Sequence, residues 1–579
     1  MTPDATGSRE ADRLRRGLAW LLAATLPILL AQAVVPIEQF VHRGDDAFYY
    51  FQMAAQYPRL GFWSFDGIHP TNGVQPLWAL LLTGVALLLH QAGVTDPGVL
   101  ARIFVACAAA CHCAASLLLF HLLARTVSVQ AGLVAAGAFL VPMGIVWSRL
   151  WGMENSLYAL LLTASLCHLH LVVLRRPTVR AGAAAGALLG LTALARLNAA
   201  LLAPVAVLYL AWKVTGLQGR RVAAACALGG VLVVAPYFIW NLATTGHLLP
   251  VSGVVKDLRA DGFLAAQGLE SRWSLAFPWA ILDPHTRAIR WFVTSRVLDT
   301  SWIAGGRLLL DGDSGLTWRY FIPLVIAVLL LPLAAASPGR WVRVLAAHLG
   351  RLKVFAYVLI FALINLLVSV IRYPSEVGYG MIRWWLVESE IVIVTLASVV
   401  VAGAGAVLGR RFLPSSLRPR LLTGLVVVLL ALHAGQTVRF YWSDRVVQHD
   451  WKLSWNDEIY AAALWLNDHV PPDARVGSWN AGLLGYYTVS PVINLDGLAN
   501  SFELVPYLES GRLADYIRLE NIRYLSDIES EFDDRDLDRD LRLTEIYSRY
   551  SPFIERHYRI FRVERATEPG PDQGIGHVR

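Results

Sequence analysis

The side chains best suited to chemistry in this sequence are acidic and cationic groups near the ends of long apolar runs. Asp45 and Asp46 are adjacent in the segment "RGDDAFYYFQMA", soon after the first apolar run ends. Two neighbouring carboxylates repel each other, which raises the pKa of one toward a value useful for a general base. The same pair could instead begin a helix, where acidic side chains are favoured. Both interpretations fit the sequence.

A third carboxylate and several cations occupy comparable positions. Glu154 begins an apolar run in "SRLWGMENSLY", where it could hold an acceptor hydroxyl or a cation, or cap a helix. Arg196 lies between two apolar runs and could bind an anion or extend to the membrane surface. The cations that could hold a phosphate group are Arg196, Lys256, Arg372 and Arg383.

Polar side chains that could hydrogen-bond a sugar or an acceptor lie in three further segments. These segments are "IHPTNGVQPLW", "NLATTGHLLP" and "GSWNAGLLGYY". The candidate side chains are His69, Asn72, Gln75, Asn241, His247, Trp479 and Asn480. Core aromatic and turn roles explain Trp479 and Asn480 equally well.

The composition places these groups in a membrane protein. Of the 579 residues, 56% are hydrophobic and only 16% are charged, with a mean hydropathy of +0.49. A soluble chain carries about 25% charged residues. The net charge of +7 arises mostly from short loops between apolar runs, which membrane topology explains without a nucleic-acid partner. The five cysteines lie inside apolar runs, so neither a disulfide framework nor a metal site is predicted.

The apolar runs predict about 11 membrane spans, with residues 77–91 as a juxtamembrane helix that does not cross. With a cytoplasmic N-terminus, the predicted cytoplasmic loops contain 15 Lys or Arg and no Asp or Glu. A crossing by 77–91 would reverse that arrangement, against the positive-inside rule. The predicted spans are 17–35, 99–123, 129–147, 155–174, 180–196, 198–214, 222–240, 319–336, 353–371, 386–407 and 420–437.

The chain is thus predicted to be an α-helical polytopic membrane protein with a small C-terminal extracytoplasmic α/β domain. The membrane domain would comprise residues 1–437, with outside loops at 36–98 and 241–318. In residues 438–566, strand-sized runs such as "RVGSW", "PVINLDG", "IRYLSDI" and "RIFRVE" alternate with helical patterns. Residues 567–579 are rich in Gly, Pro and charge, which is typical of a disordered tail.

These motifs resemble those of the GT-C membrane glycosyltransferases, which use polyprenyl-phosphate sugars. The resemblance rests on the Asp45-Asp46 pair, on "IHPTNGVQPLW" at 68–78 and on the "GMEN" turn. The arrangement of these motifs is similar to that in protein O-mannosyltransferases and in the lipid A aminoarabinose transferase. It is more similar still to that in bacterial proteins with a DD-A-x-Y-Y first loop. The sequence departs from that pattern at Ile68-His69, where an asparagine is expected before the proline. The likeness is good over residues 17–260 and weaker to 437.

The resemblance implies a single-displacement transfer from a polyprenyl-phosphate-linked sugar to a glycan, lipid or protein acceptor, in contact with membrane lipids. Asp45 would be the base, Asp46 would support it or contact the acceptor, and Glu154 would be the second acidic residue. We expect Arg372 or Arg383 at the donor phosphate, although no family motif assigns them. No cofactor is expected, and metal-independent chemistry is favoured over a divalent metal, because few carboxylates cluster.

Two other functions remain compatible with a polytopic chain. A transporter or flippase would show inverted repeats and ionisable groups near the middle of spans, whereas here these groups lie at the outer ends. In a non-catalytic envelope-assembly scaffold, Asp45 and Asp46 would only cap a helix. The predicted location is the plasma or inner membrane in all three cases.

Overall fold

A computed structural model describes most of the chain. It covers residues 3–34, 44–140, 152–266, 356–372, 456–533, 537, 541–551 and 555–564, and the helical residues 387–388, 391–392, 394–396 and 398–399. The helices before the C-terminal domain are α1 (Pro3–Val34), α2 (Asp45–Leu60), α3 (Pro76–Gln91), α4 (Pro97–Thr126), α5 (Val129–Leu140), α6 (Asn155–His168), α7 (Val179–Ala195), α8 (Leu202–Lys213), α9 (Gly216–Thr245), α10 (Val251–Ala266) and α11 (Ala356–Arg372). A π-helical turn, Leu169–Val173, extends α6, and a 3₁₀ turn, Leu197–Leu201, precedes α8.

Local sequence signals explain where several helices begin. The Asp96 carboxylate accepts a hydrogen bond of 2.8 Å from the Val99 amide, and Pro97 occupies the first helical position of α4. The Thr178 hydroxyl caps α7 in the same way, by accepting from the Ala181 amide at 3.1 Å. Such caps satisfy amide groups that have no partner inside the helix.

The helices follow the predicted spans wherever the structure describes them. Three of them are long and apolar enough to cross a membrane, namely Pro97–Thr126, Asn155–Val173 and Gly216–Thr245. Shorter apolar helices lie at four further predicted spans, among them Val179–Ala195 and Leu197–Lys213. The predicted spans 319–336 and 420–437, most of the loop 241–318 and the tail 567–579 fall outside the described residues.

Helices α7 and α9 pack against each other with small residues at the contact. A Cβ atom on Gly186 would lie only 1.9 Å from the Cys226 carbonyl oxygen, which no side chain tolerates. Gly182 and Gly229 face carbonyl oxygens of the opposite helix in the same way. Small residues allow helix backbones to approach closely in membranes, where this packing drives association.

The C-terminal region is built on a five-stranded mixed sheet. Its strands are β1 (Arg475–Ser478), β2 (Val492–Asn494), β3 (Ile522–Ile528), β4 (Arg542–Ser551) and β5 (Arg556–Glu564). The strand order is β2-β1-β3-β5-β4, with β1 parallel to both neighbours and β5 antiparallel to both of its neighbours. The helices of this region are α12 (Asn456–His469), α13 (Ala481–Tyr487), α14 (Val505–Glu509), α15 (Leu513–Leu519) and α16 (Glu529–Asp533).

The sheet domain packs directly on the membrane-domain helices. Rings of Phe48 in α2 and Tyr486 in α13 lie 5.5 Å apart, and the Tyr486 hydroxyl donates to the Pro97 carbonyl at 2.7 Å. Buried side chains of α12 and α13 belong to the same apolar core as those of α2 to α6. A second core, which includes Trp479 and Tyr516, lies elsewhere within the domain. The first outside loop and the C-terminal domain therefore form one packed unit.

Candidate active site at the start of helix α2

Asp45 connects α2 to the C-terminal domain. Its carboxylate accepts hydrogen bonds from the amides of Leu483 at 2.6 Å and Gly482 at 3.1 Å. Burial raises the pKa of Asp45 to about 7, the bond from Leu483 partly offsets that rise, and the charge of Asp46 adds to it. Asp45 can therefore change protonation state near neutral pH, whereas the Asp46 side chain is exposed. The pair does more than begin its own helix.

Five successive amides at the start of α13 are shared between the two regions. The Asp527 carboxylate accepts from the amides of 479 and 480, both at 2.8 Å, and the Tyr49 hydroxyl accepts from that of 481 at 2.9 Å. Asp45 takes the next two. Gly482 is required here, because a Cβ atom would lie 2.3 Å from the Asp45 carbonyl oxygen.

Tyr50 joins three segments that are distant in sequence. Its hydroxyl accepts a hydrogen bond of 3.1 Å from the Gln75 amide and also hydrogen-bonds Glu154. Burial first, and then the charge of Glu154, raises the pKa of Tyr50 well above its usual value, and Asp46 adds to this. The side chain of Gln75 accepts from the Leu197 amide at 2.9 Å. Glu154 is thus hydrogen-bonded to Tyr50, and the charge of Asp46 acts on the same phenol.

Glu154 is poised for a further partner. It is 4% exposed, and among the described residues its Oε2 atom has no hydrogen-bond partner. The adjacent Asn155 is fully buried, and its side-chain amide nitrogen also has no hydrogen-bond partner among the described residues. An unsatisfied acceptor and donor side by side suit a hydroxyl group, which can donate to one and accept from the other.

Arg196 is buried rather than extended to the membrane surface. It is 5% exposed, donates to Asn155 Oδ1 at 2.9 Å, and its guanidinium lies 5.8 Å from the centre of the Tyr158 ring. The Tyr158 hydroxyl in turn donates to Glu388 at 3.0 Å. The surface-directed interpretation of Arg196 is therefore wrong, because its charge is balanced inside the protein and also acts on Glu388.

Glu388 belongs to this network although the sequence analysis did not single it out. It is fully buried, and Asn365 of α11 donates to its second oxygen at 2.6 Å. Its signal is a carboxylate at the start of the apolar run "VESEIVIV". An ionisable residue inside a span is a functional candidate by default, so this signal could have identified it.

Three of the predicted sugar-contacting side chains instead link parts of the protein. Asn72 donates to Asn241 at 3.1 Å and accepts from the Val251 amide at 3.0 Å. Asn241 donates to the Leu248 carbonyl at 3.2 Å, and the Gln75 side chain is held by Leu197. These contacts attach the loop at 68–75 to the ends of α7 and α9.

The remaining predicted contact residues lie apart from Tyr50. The ring of His247 stacks on Phe502 at 4.0 Å. Trp479 is 2% exposed and packs on Phe532, and Asn480 donates from its side chain to Asp527 at 3.0 Å, so both occupy the positions of the core and turn alternative.

His69 and the predicted phosphate ligands complete the set. His69 lies against Asp66 and Glu520, and its pKa is raised, mainly by the hydrogen bond to Asp66. Lys256 lies in α10 and is partly buried, and Arg372 is the last residue of α11. Arg383 and the side chain of Arg372 fall outside the described residues.

Comparisons with known proteins agree with this architecture. Residues 447–568 match the model of a family described as a domain of unknown function, DUF8728, which covers the sheet domain. No curated protein sequence matches the chain.

Two solved structures share the fold at low identity. The oligosaccharyltransferase of Archaeoglobus fulgidus, solved with zinc and sulfate, is 13% identical with a TM-score of 0.50, over 93% of this chain and 72% of that one. ArnT from Cupriavidus metallidurans, bound to undecaprenyl phosphate, gives the same identity and TM-score, over 93% of this chain and 97% of its own. The chain therefore has the fold of the GT-C membrane glycosyltransferases.

Proposed function

We propose that this protein is a membrane glycosyltransferase that moves a sugar from a polyprenyl-phosphate donor to an acceptor hydroxyl on the non-cytoplasmic face. The observation that carries the proposal is the buried Asp45 carboxylate, whose pKa is raised to about 7, on the same helix as Tyr50, which hydrogen-bonds Glu154. These carboxylates come from two segments about a hundred residues apart. The fold is compatible with this class of reaction. Because a fold alone does not establish an activity, the proposal depends on the residues of the site.

In the proposed step, Asp45 acts as the general base. The acceptor oxygen attacks the anomeric carbon of the sugar, its proton passes to the Asp45 carboxylate, and the bond from that carbon to the phosphate oxygen breaks. The polyprenyl phosphate leaves with the bonding electrons. A carboxyl pKa of about 7 matches this task at neutral pH, because a general base works best when its pKa lies near the operating pH.

The hydrogen bonds to α13 leave room for this role. Each oxygen of Asp45 accepts one backbone amide, and a carboxylate oxygen can accept a further bond. The orphaned atoms of Glu154 and Asn155 would orient a sugar or acceptor hydroxyl. Lys256 and Arg372, with Arg383, are the proposed phosphate cations, since Arg196 is occupied within the protein. The step as written needs no cofactor, and we propose metal-independent transfer.

The proposal is tested by replacing each member of the pair in turn. Purified protein in detergent would be given a panel of polyprenyl-phosphate sugars, with release of polyprenyl phosphate as the measurement. Asp45→Asn should lower turnover by about 10²–10⁴-fold, the usual contribution of a general base. Asp515→Asn, a change at an exposed aspartate paired with Arg518, is the matched control and should leave turnover unchanged.

The outcomes separate three cases. Full activity in Asp45→Asn would refute its role as base, and a selective loss in Asp46→Asn would exchange the two roles. Release of no polyprenyl phosphate by the unaltered protein from any donor would contradict transferase function itself. Thermal unfolding of each variant would show whether lost activity reflects lost folding.

A further inference from the structure

A cluster of metal-ligating side chains lies where the first outside loop meets the C-terminal domain. His69 comes from the loop, while Glu503 and Glu520 come from the segments preceding α14 and following α15. One ligand atom from each lies within 4.8 Å of the others. The cluster shares no residue with the Asp45–Glu154 site, and its partners come from both sides of the junction.

His69 is prepared as a ligand by the residue behind it. Its Nδ1 atom lies 2.7 Å from Asp66 Oδ2, while Nε2 faces Glu520 at 3.3 Å. Asp66 is itself fixed, because its other oxygen accepts from the Ser64 hydroxyl at 3.0 Å and from the amides of 68 and 69, both at 2.8 Å. A carboxylate bound to the far nitrogen of a histidine is the usual support for a metal ligand.

Glu520 is also held in place. Its Oε2 atom lies 3.3 Å from His69 Nε2, and Arg475 donates to the same oxygen at 2.6 Å. Two ligands of one tetrahedral zinc ion, each at about 2.0–2.2 Å from the metal, lie roughly 3.4 Å apart. The observed separation therefore already suits two ligands of one ion. Carboxylates that bind a metal commonly accept a hydrogen bond from a neighbouring residue, and Arg475 donates such a bond to Glu520.

The charge balance also favours a cation. Asp66, Glu503 and Glu520 supply three carboxylates, and Arg475, which pairs with Glu520, supplies one guanidinium. Glu503 is exposed, so its side chain can rotate toward the other two without rearranging the core. A set of one imidazole nitrogen and two carboxylates suits zinc-type transition ions rather than calcium or magnesium, which prefer oxygen ligands alone.

We propose that His69, Glu503 and Glu520 form a binding site for one zinc-type divalent ion that fastens the C-terminal domain to the first outside loop. Because both sides of the junction supply ligands, the ion would stabilise the docked arrangement. This role is structural and does not depend on the proposed transferase reaction.

The test uses the full chain, stripped with a chelator and titrated with Zn²⁺ in detergent. We expect one Zn²⁺ per chain and a higher thermal unfolding temperature when the ion is bound. Glu503→Gln is the decisive variant, because an exposed side chain can be replaced without loss of folding. It should weaken zinc binding at least tenfold, and His69→Ala should weaken it further. Glu509→Gln and His469→Ala, changes at exposed residues outside the cluster, should leave the affinity unchanged.

Three results would overturn the proposal. The first is no stoichiometric zinc binding by the unaltered protein, which would leave His69 paired with Glu520 through a proton alone. The second is binding that neither Glu503→Gln nor His69→Ala weakens, which would place the ion elsewhere. The third is equal or tighter binding of Ca²⁺, which would contradict the part assigned to imidazole.

Discussion

Asp527 and Asp45 both bind amides at the start of α13, yet their surroundings differ. Asp527 lies in β3 of the same domain and also accepts from the Ser478 hydroxyl at 3.0 Å and the Asn480 side chain at 3.0 Å. Asp45 reaches the helix from another domain and, among the described residues, accepts hydrogen bonds from the two amides alone, beside a second carboxylate. Burial raises the pKa of Asp527 to about 6 and that of Asp45 to about 7.

Asp527 and Asp45 thus share a position at the start of α13 but not the same surroundings, so their roles need not be the same. In the described part of the chain, every hydrogen bond that Asp527 accepts comes from its own domain, so removing it leaves several buried donors without partners. Asp45 retains capacity to accept another proton donor, and its helix also carries Tyr50, which hydrogen-bonds Glu154. We therefore expect substitutions at Asp527 to affect folding and those at Asp45 to affect turnover.

The largest expected effect is on stability, from Asp527→Ala. The change leaves the amides of 479 and 480 and the Ser478 hydroxyl without their acceptor, and such losses in buried networks cost about 3–5 kcal/mol. Thermal unfolding in detergent and protease sensitivity of residues 456–564 would measure it. Unchanged stability would remove the contrast between the two carboxylates.

A smaller loss of stability is expected when a side chain is added at the contact between Gly482 and Asp45. Gly482→Ala places a methyl group 2.3 Å from the Asp45 carbonyl oxygen, and such overpacking costs about 1–3 kcal/mol. Turnover should fall together with stability, since Asp45 is displaced. Gly262→Ala in α10 is the control, because nothing lies within 4 Å of its added Cβ atom. Equal effects of the two changes would argue against a specific contact at Gly482.

The pH dependence should distinguish the two carboxylates through activity. With a pKa of about 7, Asp45 is increasingly protonated below neutrality, so turnover should fall about tenfold per pH unit on the acid side. Stability should move the opposite way. The pKa of Asp45 in the folded protein lies above the ordinary aspartate value of 3.8, so this group alone stabilises the folded state less as pH rises from about 4 to about 7. A pH–rate profile that is flat from about pH 5 to about pH 8 would contradict Asp45 as the base, because a base with a pKa of about 7 loses activity within that range.

The smallest effect is expected away from α13. Tyr158→Phe removes the hydroxyl that donates to Glu388, while Asn365 still donates to that carboxylate. One lost hydrogen bond costs about 0.5–1.5 kcal/mol, and the remaining donor should keep the loss near the lower value. Tyr550→Phe, at a 51% exposed tyrosine, serves as control in the same unfolding measurement. Identical unfolding temperatures for both variants would show that the Glu388 bond adds nothing.

Local patterns predicted much of the fold. The segments "RVGSW", "PVINLDG", "IRYLSDI" and "RIFRVE" contain or overlap four of the five strands, because their apolar side chains alternate with polar ones or form buried runs. Strand β4 was missed because "RLTEIYSRYS" is mostly exposed and mostly polar, and its pairing with β5 supplies what its composition does not.

The site was predicted in part, for a similar reason. Asp46 and Glu154 could be selected because they stand out beside apolar runs. The partners of Asp45 are 437 and 438 residues away, and Glu388 is 230 residues from Tyr158. No periodicity or spacing encodes such long-range contacts, so the docking role of Asp45 could not be read from the sequence.

The close packing of α7 on α9 fixes these two helices against each other. With Gly186 already touching the opposite backbone, these two helices cannot slide past one another without separating altogether. Arg196 directly follows α7, and Asn241 belongs to α9, so both are carried on a single stiff strut. Any movement at the site would therefore take place relative to these two helices, which stay fixed against each other.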